Sequence, residues 1–385
     1  MHPRRSKSPL STTLLLAALF LACSSSTPRP SLVPVPSPQD LEASLFLIGD
    51  AGKPEEHDHV LAALTRAASG AANSTIVFLG DNLYYYGMPD STALDRKVYE
   101  RRLRWQMDVG INSRAPTYFI PGNHDWENGR DSGFAAVRRQ EAFIAQQGGD
   151  IVKMIPSGGC PGPFTIDIPG RFRLIALDSQ WFLQGDPKPT DECRPGSVQG
   201  VVDSLVSALN VPAGLDAVVV LHHPLKTHGT HGGYFPLADH IFPLRNLVSW
   251  LYIPLPIIGS LYPISRRAGA SDQDLAGTRN VLMRQRLREA FGPRPPRIVA
   301  AGHEHTLQVI SDSSIPTLLV SGSGYDNHTE PVAWRDDTRY AASIAGFMRV
   351  DRLKDGRVRL SVLRPQPKGD GIEELHSEWL PEVRR

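Results

Sequence analysis

The sequence predicts an α/β sandwich. Short continuous apolar runs rich in Val, Ile, Leu and Phe recur along the chain, and stretches of helical periodicity separate most of them. Each run also ends abruptly in small or polar residues. Residues 45–48 run into Gly49-Asp50, 76–79 into Gly80-Asp81, and 118–120 into Pro121-Gly122-Asn123-His124. Residues 218–221 run into His222-His223, and 298–301 into Gly302-His303-Glu304-His305. Unbroken apolar runs of this length suit strands buried on both faces. Helical periodicity predicts helices over roughly 56–68, 134–147, 197–209 and 279–291.

The chain has 385 residues, 41% of them apolar and 21% charged, a balance that suits a globular protein. Its 41 basic and 40 acidic residues leave a net charge of +1, which offers no electrostatic basis for nucleic-acid binding. Residues 1–22 read as a signal peptide. Arg4, Arg5 and Lys7 give a positive start, and the apolar run 14–22 is too short to span a bilayer. Leu21-Ala22-Cys23 resembles the cleavage box of bacterial lipoproteins, so Cys23 is expected to carry lipid. The chain is then exported and anchored in the bacterial cell envelope, facing periplasm or exterior; the alternative is plain secretion. Residues 23–42, rich in Ser and Pro, read as a tether. The folded region is expected over 43–365, with a tail at 366–385. Cys160 and Cys193 are expected to pair in an oxidising compartment, the alternative being two free thiols. Residues 232–278 break the alternation. Their stretch 250–262 is strongly apolar but carries Pro254 and Pro256, and reads as an ordered insertion or lid, or as a packing loop.

Five expected strands thus each end in a residue able to hold a metal: Asp50, Asp81, Asn123, His222 and His303. Ligands bind beyond the carboxyl ends of strands in open α/β sheets. One Asp after a strand is commonly a turn residue; five such residues at matching positions point to a site. Imidazole and carboxylate are the donors that hold catalytic metals.

These blocks resemble the metallophosphoesterase superfamily and, within it, the purple acid phosphatases. The resemblance covers about 45–308 and rests on Gly49-Asp50-Ala51-Gly52, Gly80-Asp81-Asn82-Leu83-Tyr84, Gly122-Asn123-His124-Asp125, His222-His223-Pro224 and Gly302-His303-Glu304-His305. Most of that superfamily has a His where Gly52 stands. Purple acid phosphatases lack it and supply a Tyr three residues after the second Asp, the place of Tyr84. The resemblance implies a sandwich of two mixed sheets flanked by helices, with a dimetal site at the strand ends. It assigns one metal to Asp50, Asp81, Tyr84 and His305, and the other to Asp81, Asn123, His222 and His303. Fe(III) would sit beside a divalent metal (Fe, Zn or Mn). It implies hydrolysis of small phosphate monoesters by metal-bound hydroxide, with diester or nucleotide hydrolysis as the alternative enzyme reading and a catalytically dead metal-binding surface lipoprotein as the other. His124 would face the substrate phosphate and serve in catalysis, as would His231, nine residues after His222; His228 is the alternative for that role. His223 is not counted as a ligand. The insertion has no counterpart in that branch, and Lys53 has no assigned role.

Overall fold

The computed structural model describes residues 31–189, 193–246, 250–255, 257–326 and 328–383; the expected signal peptide and Cys23 lie outside them. The first half of the chain builds one sheet by alternation. Strands β1 (Leu41–Ile48), β2 (Ser74–Phe78), β3 (Thr117–Phe119) and β4 (Val152–Met154) run parallel, joined by α1 (His59–Ser69), α2 (Arg96–Ser113) and α3 (Gly133–Gln147). A second sheet starts with the antiparallel pair β5 (Phe164–Ile168) and β6 (Phe172–Ala176). Helices α4 (Ser179–Leu183) and α5 (Val198–Ala208) lead to β7 (Asp216–Val220), parallel to β6.

The insertion follows with α6 (Leu237–Ile241) and α7 (Leu261–Arg267). Then α8 (Thr278–Phe291) leads into β8 (Ile298–Ala301), which lies parallel to β7. Strands β9 (Leu307–Ile310), β10 (Thr317–Ser321) and β11 (Thr338–Ala342) complete this sheet in the order β11-β9-β10-β8-β7-β6-β5. The chain then returns to the first sheet. β12 (Phe347–Leu353) pairs antiparallel with β1, and β13 (Val358–Pro365) and β14 (Ile372–Trp379) extend it to β14-β13-β12-β1-β2-β3-β4. The outcome is two mixed seven-stranded sheets flanked by helices.

Side chains alternate across a strand, so each central strand feeds two cores. On β1, Leu45 and Leu47 join Val77, Leu79, Val218, Val220, Ile298 and Ala300 between the sheets. Phe46 and Ile48 of the same strand face outward, with Ile76 and Phe78, onto the helices. This two-sided burial is why the runs read as continuous rather than alternating.

The four expected helices are α1, α3, α5 and α8. Helix α1 starts at His59 rather than 56, because the Asp58 carboxylate accepts from the Val60 and Leu61 amides, 2.9 Å each, and caps it. Helix α2 was not anticipated. Its sequence is crowded with Arg and Lys, and its buried stripe narrows to residues such as Leu103, Met107 and Gly110.

Two boundaries are corrected. Residues 31–42 are not a free tether. Ser31 donates its amide to His376 Nδ1 (3.2 Å), Val33 donates to Ser377 Oγ (2.9 Å), and the Ser377 amide donates to Ser31 O (2.7 Å), so this segment lies along β14. The expected tail at 366–385 contains β14 itself. Its sequence, IEELHSEW, carries three Glu and no long apolar run because an edge strand faces solvent. Cys160 and Cys193 are joined in a disulfide, S–S 2.17 Å.

Leu47 is fully buried between the sheets. Leu47→Ala is expected to lower unfolding free energy by about 2–5 kcal/mol, read as a shifted urea midpoint at unchanged slope. Leu94→Ala, at an exposed position, is expected to leave the midpoint in place.

Candidate metal centre

The five strands that carry the motifs end at one level, and their corners meet. Three of the corner residues sit in left-handed backbone: Asp50 (φ 58°), Asp81 (φ 52°) and His303 (φ 69°). Such residues cluster where the surrounding structure imposes a conformation, commonly at functional sites. The motif glycines permit the approach. A side-chain carbon on Gly122 would come within 2.3 Å of Asp81 Oδ1, and one on Gly302 within 2.6 Å of Asp50 Oδ2. Each glycine therefore makes room for the carboxylate of another strand.

Asp81 is buried between two groups of donors. Its Oδ2 lies 3.3 Å from the Tyr84 hydroxyl. That hydroxyl is also 3.0 Å from Asp50 Oδ1 and 3.2 Å from His305 Nε2. On the other side, Asp81 Oδ1 lies 3.4 Å from His222 Nε2. His222 Nε2 is 2.9 Å from Asn123 Oδ1 and 3.2 Å from His303 Nδ1, and His303 Nδ1 is 2.9 Å from Asn123 Oδ1. The structure thus brings Asp50, Asp81, Tyr84 and His305 into one cluster and Asp81, Asn123, His222 and His303 into the next.

The hydrogen-bond inventory shows what this centre lacks. His222 Nδ1 lies 2.8 Å from Leu79 O, and His303 Nε2 lies 2.8 Å from Gln273 O. A carbonyl only accepts, so both nitrogens carry protons, and neutral rings then present lone pairs at His222 Nε2 and His303 Nδ1. Asn123 donates Nδ2 to Asn128 Oδ1 (3.0 Å), which turns its Oδ1 to the same point. With the rings neutral, these three lone pairs converge with the Asp81 carboxylate, which also accepts from the His124 amide (2.8 Å), on one point that a cation completes. On the Tyr84 side, one hydroxyl faces two carboxylate oxygens and the His305 ring, whose basicity burial opposes but the Asp50 and Glu330 carboxylates raise.

Electrostatics agree. Burial opposes a charge on His222, but Asp81 outweighs it and lifts the imidazole to about 9. Burial, with the neighbouring imidazoles of His231, His223 and His222, holds His303 well below the usual range. Burial, then Asp50 and Asp81, pushes the Tyr84 phenol well above its ordinary value. The centre thus calls for positive charge, supplied by protons or by metal. Its donor set of carboxylate, imidazole, amide oxygen and phenol fits hard to borderline metal ions.

His223 is also buried and also close to His222 and His303. Both its nitrogens are engaged, however. Ser179 Oγ accepts from the amides of His222 and His223 and lies 2.8 Å from His223 Nδ1, while His223 Nε2 lies 2.7 Å from Gln273 Oε1. It supports the centre rather than facing it.

A cleft of about 350 Å³ opens over the centre, lined by Asp81, Asn123, His124, Asn128, His231, His303 and His305 together with Tyr262, Arg266, Ser271 and Gln273 of the insertion. His124 Nδ1 lies 2.8 Å from Tyr85 O, which orients the ring, and Nε2 lies 3.9 Å from Asp81 Oδ2. His231 stacks on His303 with ring centroids 4.0 Å apart, and its Nδ1 lies 2.9 Å from Asp274 Oδ1. Burial resists protonation of His231, but the Asp274 hydrogen bond and the charges of Glu304 and Glu330 raise it. His228 does not line the cleft: its Nε2 lies 2.8 Å from Asp337 Oδ1, so Asp337 draws the ring away. Of the two candidates for one role, the cleft contains His231.

Several residues escaped the sequence reading. Arg266 donates to Asp274 and, over 2.5 Å, to the Tyr262 hydroxyl, which places a guanidinium beside His231. The insertion therefore forms part of the cleft wall. Asp125 accepts from the amides of Gly122 (2.8 Å), Asn82 and Leu83 (3.1 Å each) and so ties the second and third motif loops together. Glu304 does the same for 227–231. It accepts from Thr227 Oγ1 (3.0 Å), Thr230 N (2.9 Å) and His231 N (3.0 Å). Glu304 and Asp125 sit inside quoted motifs, so their position was visible and their task was not. Arg266 and Asp274 had no signal, being separated from every motif in sequence.

The chain belongs to the calcineurin-like phosphoesterase family, whose sequence model matches residues 44–307. The family binds two metal ions and acts on phosphate esters. No curated protein matches the sequence significantly. Among solved structures, the fold is similar to GAP50, the anchor in the inner membrane complex of Plasmodium, at 14% identity and a TM-score of 0.53, covering 88% of this chain and 90% of that one. It is also similar to the purple acid phosphatase PPD1 from yellow lupin (Lupinus luteus) seeds, at 12% identity and a TM-score of 0.52, covering 89% of this chain and 55% of that one. At these identities the likeness is one of fold.

Removing the Glu304 carboxylate takes the acceptor from four donors, the hydroxyls of Thr227 and Thr230 and the amides of Thr230 and His231. Glu304→Ala is expected to lower stability by about 3 kcal/mol or more, measured by denaturant titration. Thr65→Ala, which removes a half-buried hydroxyl bonded within α1, is expected to cost about 1 kcal/mol or less.

Proposed function

We propose that this chain is a dimetal phosphomonoesterase of the purple acid phosphatase type. The observation that carries the reading is the placement of Asp81, with one oxygen toward Tyr84 and the other toward His222. Asp50, Asp81, Tyr84 and His305 would hold Fe(III); Asp81, Asn123, His222 and His303 would hold a divalent Fe, Zn or Mn, with Asp81 common to both. When bound, such ions polarise a phosphoryl oxygen and lower the pKa of water.

The chain's own residues then bind and orient the ester. His124, His231 and Arg266 set three cationic or cationisable groups around the cleft, matched to a monoester dianion. The Tyr85 carbonyl accepts from His124 Nδ1 and so turns Nε2 to the cleft, where the imidazolium form can deliver a proton to the departing oxygen. Asp274 orients His231 in the same way and keeps Arg266 extended beside it. Tyr84 takes the ligand place that Gly52 cannot fill, and a hard phenolate oxygen suits a trivalent ion. The reading is also extracytoplasmic. It is supported by the N-terminal pattern ending at Cys23 and by the Cys160–Cys193 bond, which persists in oxidising compartments. Turnover of p-nitrophenyl phosphate beside its bis ester tests monoester against diester preference; faster cleavage of the bis ester would replace this reading with a phosphodiesterase.

A phenolate on Fe(III) absorbs visible light by charge transfer. The oxidised protein is therefore expected to be coloured, Tyr84→Phe to bleach it, and Tyr85→Phe to leave the band. A fully active, colourless protein with two metals and no iron would overturn the assignment. His124→Ala is expected to retain both metals and lose roughly 10²–10⁴-fold in kcat, with metal content and rate measured on one sample.

A further inference from the structure

The insertion exposes a run of large apolar side chains that nothing in the chain covers among the described residues. Trp250 is 76% exposed, Ile257 84%, Ile258 62%, Leu261 62% and Ile264 55%. Leu237, Tyr252 and Ile253 are exposed as well. Contacts within the insertion tie its pieces together. The Leu255 amide donates to Ile241 O (2.7 Å), the Gly259 amide donates to Leu255 O (2.6 Å), and Phe242 packs on Tyr252. An apolar surface held out in water on a well-bonded scaffold marks an interaction site.

We propose that this surface docks on a lipid bilayer and holds the cleft at the membrane face. The composition selects that partner. From His240 to Ser271 the sequence contains no Asp or Glu, and beside Arg266, which is paired with Asp274, it carries Arg245 and the exposed Arg267. Anionic headgroups attract such a segment, and Trp and Tyr are the side chains that favour the headgroup boundary. The segment lies on the bilayer rather than across it: no helix among the described residues is long and apolar enough to cross one, and its apolar residues are spread over the non-helical stretch 250–255, the short turn Ile258–Ser260 and α7. The described chain also begins at Ser31, with the apolar run 14–22 and the expected lipid site Cys23 in the residues before it.

Helix α7 joins this surface to the chemistry. Leu261 and Ile264 stand exposed on it, while Tyr262 and Arg266, one turn apart, line the cleft. A bilayer against the first pair brings phosphate groups at its surface toward the second. The substrate class is then a phosphate monoester carried on a lipid, a statement that rests on the phosphoesterase reading above.

Two measurements separate docking from turnover. The full chain is mixed with 3:1 phosphatidylcholine–phosphatidylglycerol vesicles whose acyl chains are brominated near the headgroup. Quenching of tryptophan emission is expected, and most of it is expected to vanish in Trp250→Phe, which keeps the same N-terminus. Equal quenching in both proteins, or none, overturns docking by this surface. So does a doubling of mass in vesicle-free buffer that Ile257→Glu/Ile258→Glu abolishes, because a second copy would then be the occupant. The same double variant is expected to lose on the order of tenfold in turnover of vesicle-borne phosphatidic acid and to keep wild-type turnover of p-nitrophenyl phosphate. An equal rate on the vesicle substrate overturns the substrate class. Failure of the wild type on both substrates, with Trp250 still quenched, overturns the phosphoesterase reading and leaves the docking surface standing.

Discussion

Everything in this fold is arranged around a shortage of protons at one point. Asp50, Asp81, Asn123, Tyr84 and three imidazoles bring many lone pairs and few hydrogens together at the floor of the cleft. A buried carboxylate without a partner is costly. Here each carboxylate accepts one backbone amide, Asp81 from His124 and Asp50 from His303, and turns its remaining lone pairs on the centre. The Leu79 and Gln273 carbonyls enforce that arrangement by taking the far-side hydrogens of His222 and His303.

That centre requires the two-sheet architecture. Asp50, Asp81 and Asn123 follow strands of one sheet, His222 and His303 follow strands of the other, and the core between the sheets fixes their separation. Neither sheet alone carries a complete donor set. The glycine corners supply the last few tenths of an ångström, because any side chain at Gly122 or Gly302 would occupy the place of a carboxylate.

A second tier of buried carboxylates holds the loops that carry the donors. Asp125 binds the second motif loop to the third, Glu304 binds the 227–231 loop beneath His231, and Asp274 binds His231 to Arg266. Each accepts from several N–H or O–H groups at once, which offsets part of its desolvation. The insertion enters through this tier. One side of α7 completes the cleft wall and the other remains apolar and exposed, so this segment touches both the site and its surroundings.

The α/β class, the strand ends and the residues that the structure gathers there were legible because they are local: each strand end is an apolar run followed by a polar corner, with a glycine in all but the His222 corner. Helix α2 and strand β14 were hidden by charge, since elements with one narrow buried stripe or one solvent-facing side carry little apolar periodicity. The packing of residues 31–33 on β14 was hidden because its hydrogen bonds join positions more than 300 residues apart. Sequence alone could not choose between His228 and His231, which have the same chemistry and nearly the same spacing. Asp337 and Asp274 decided it by drawing one ring away from the cleft and holding the other in it. The sequence by itself determined which residue types stand at which strand ends. Only the tertiary structure decided which lone pairs meet, because the directions of those side chains are set by carbonyls and carboxylates from elements distant in the chain.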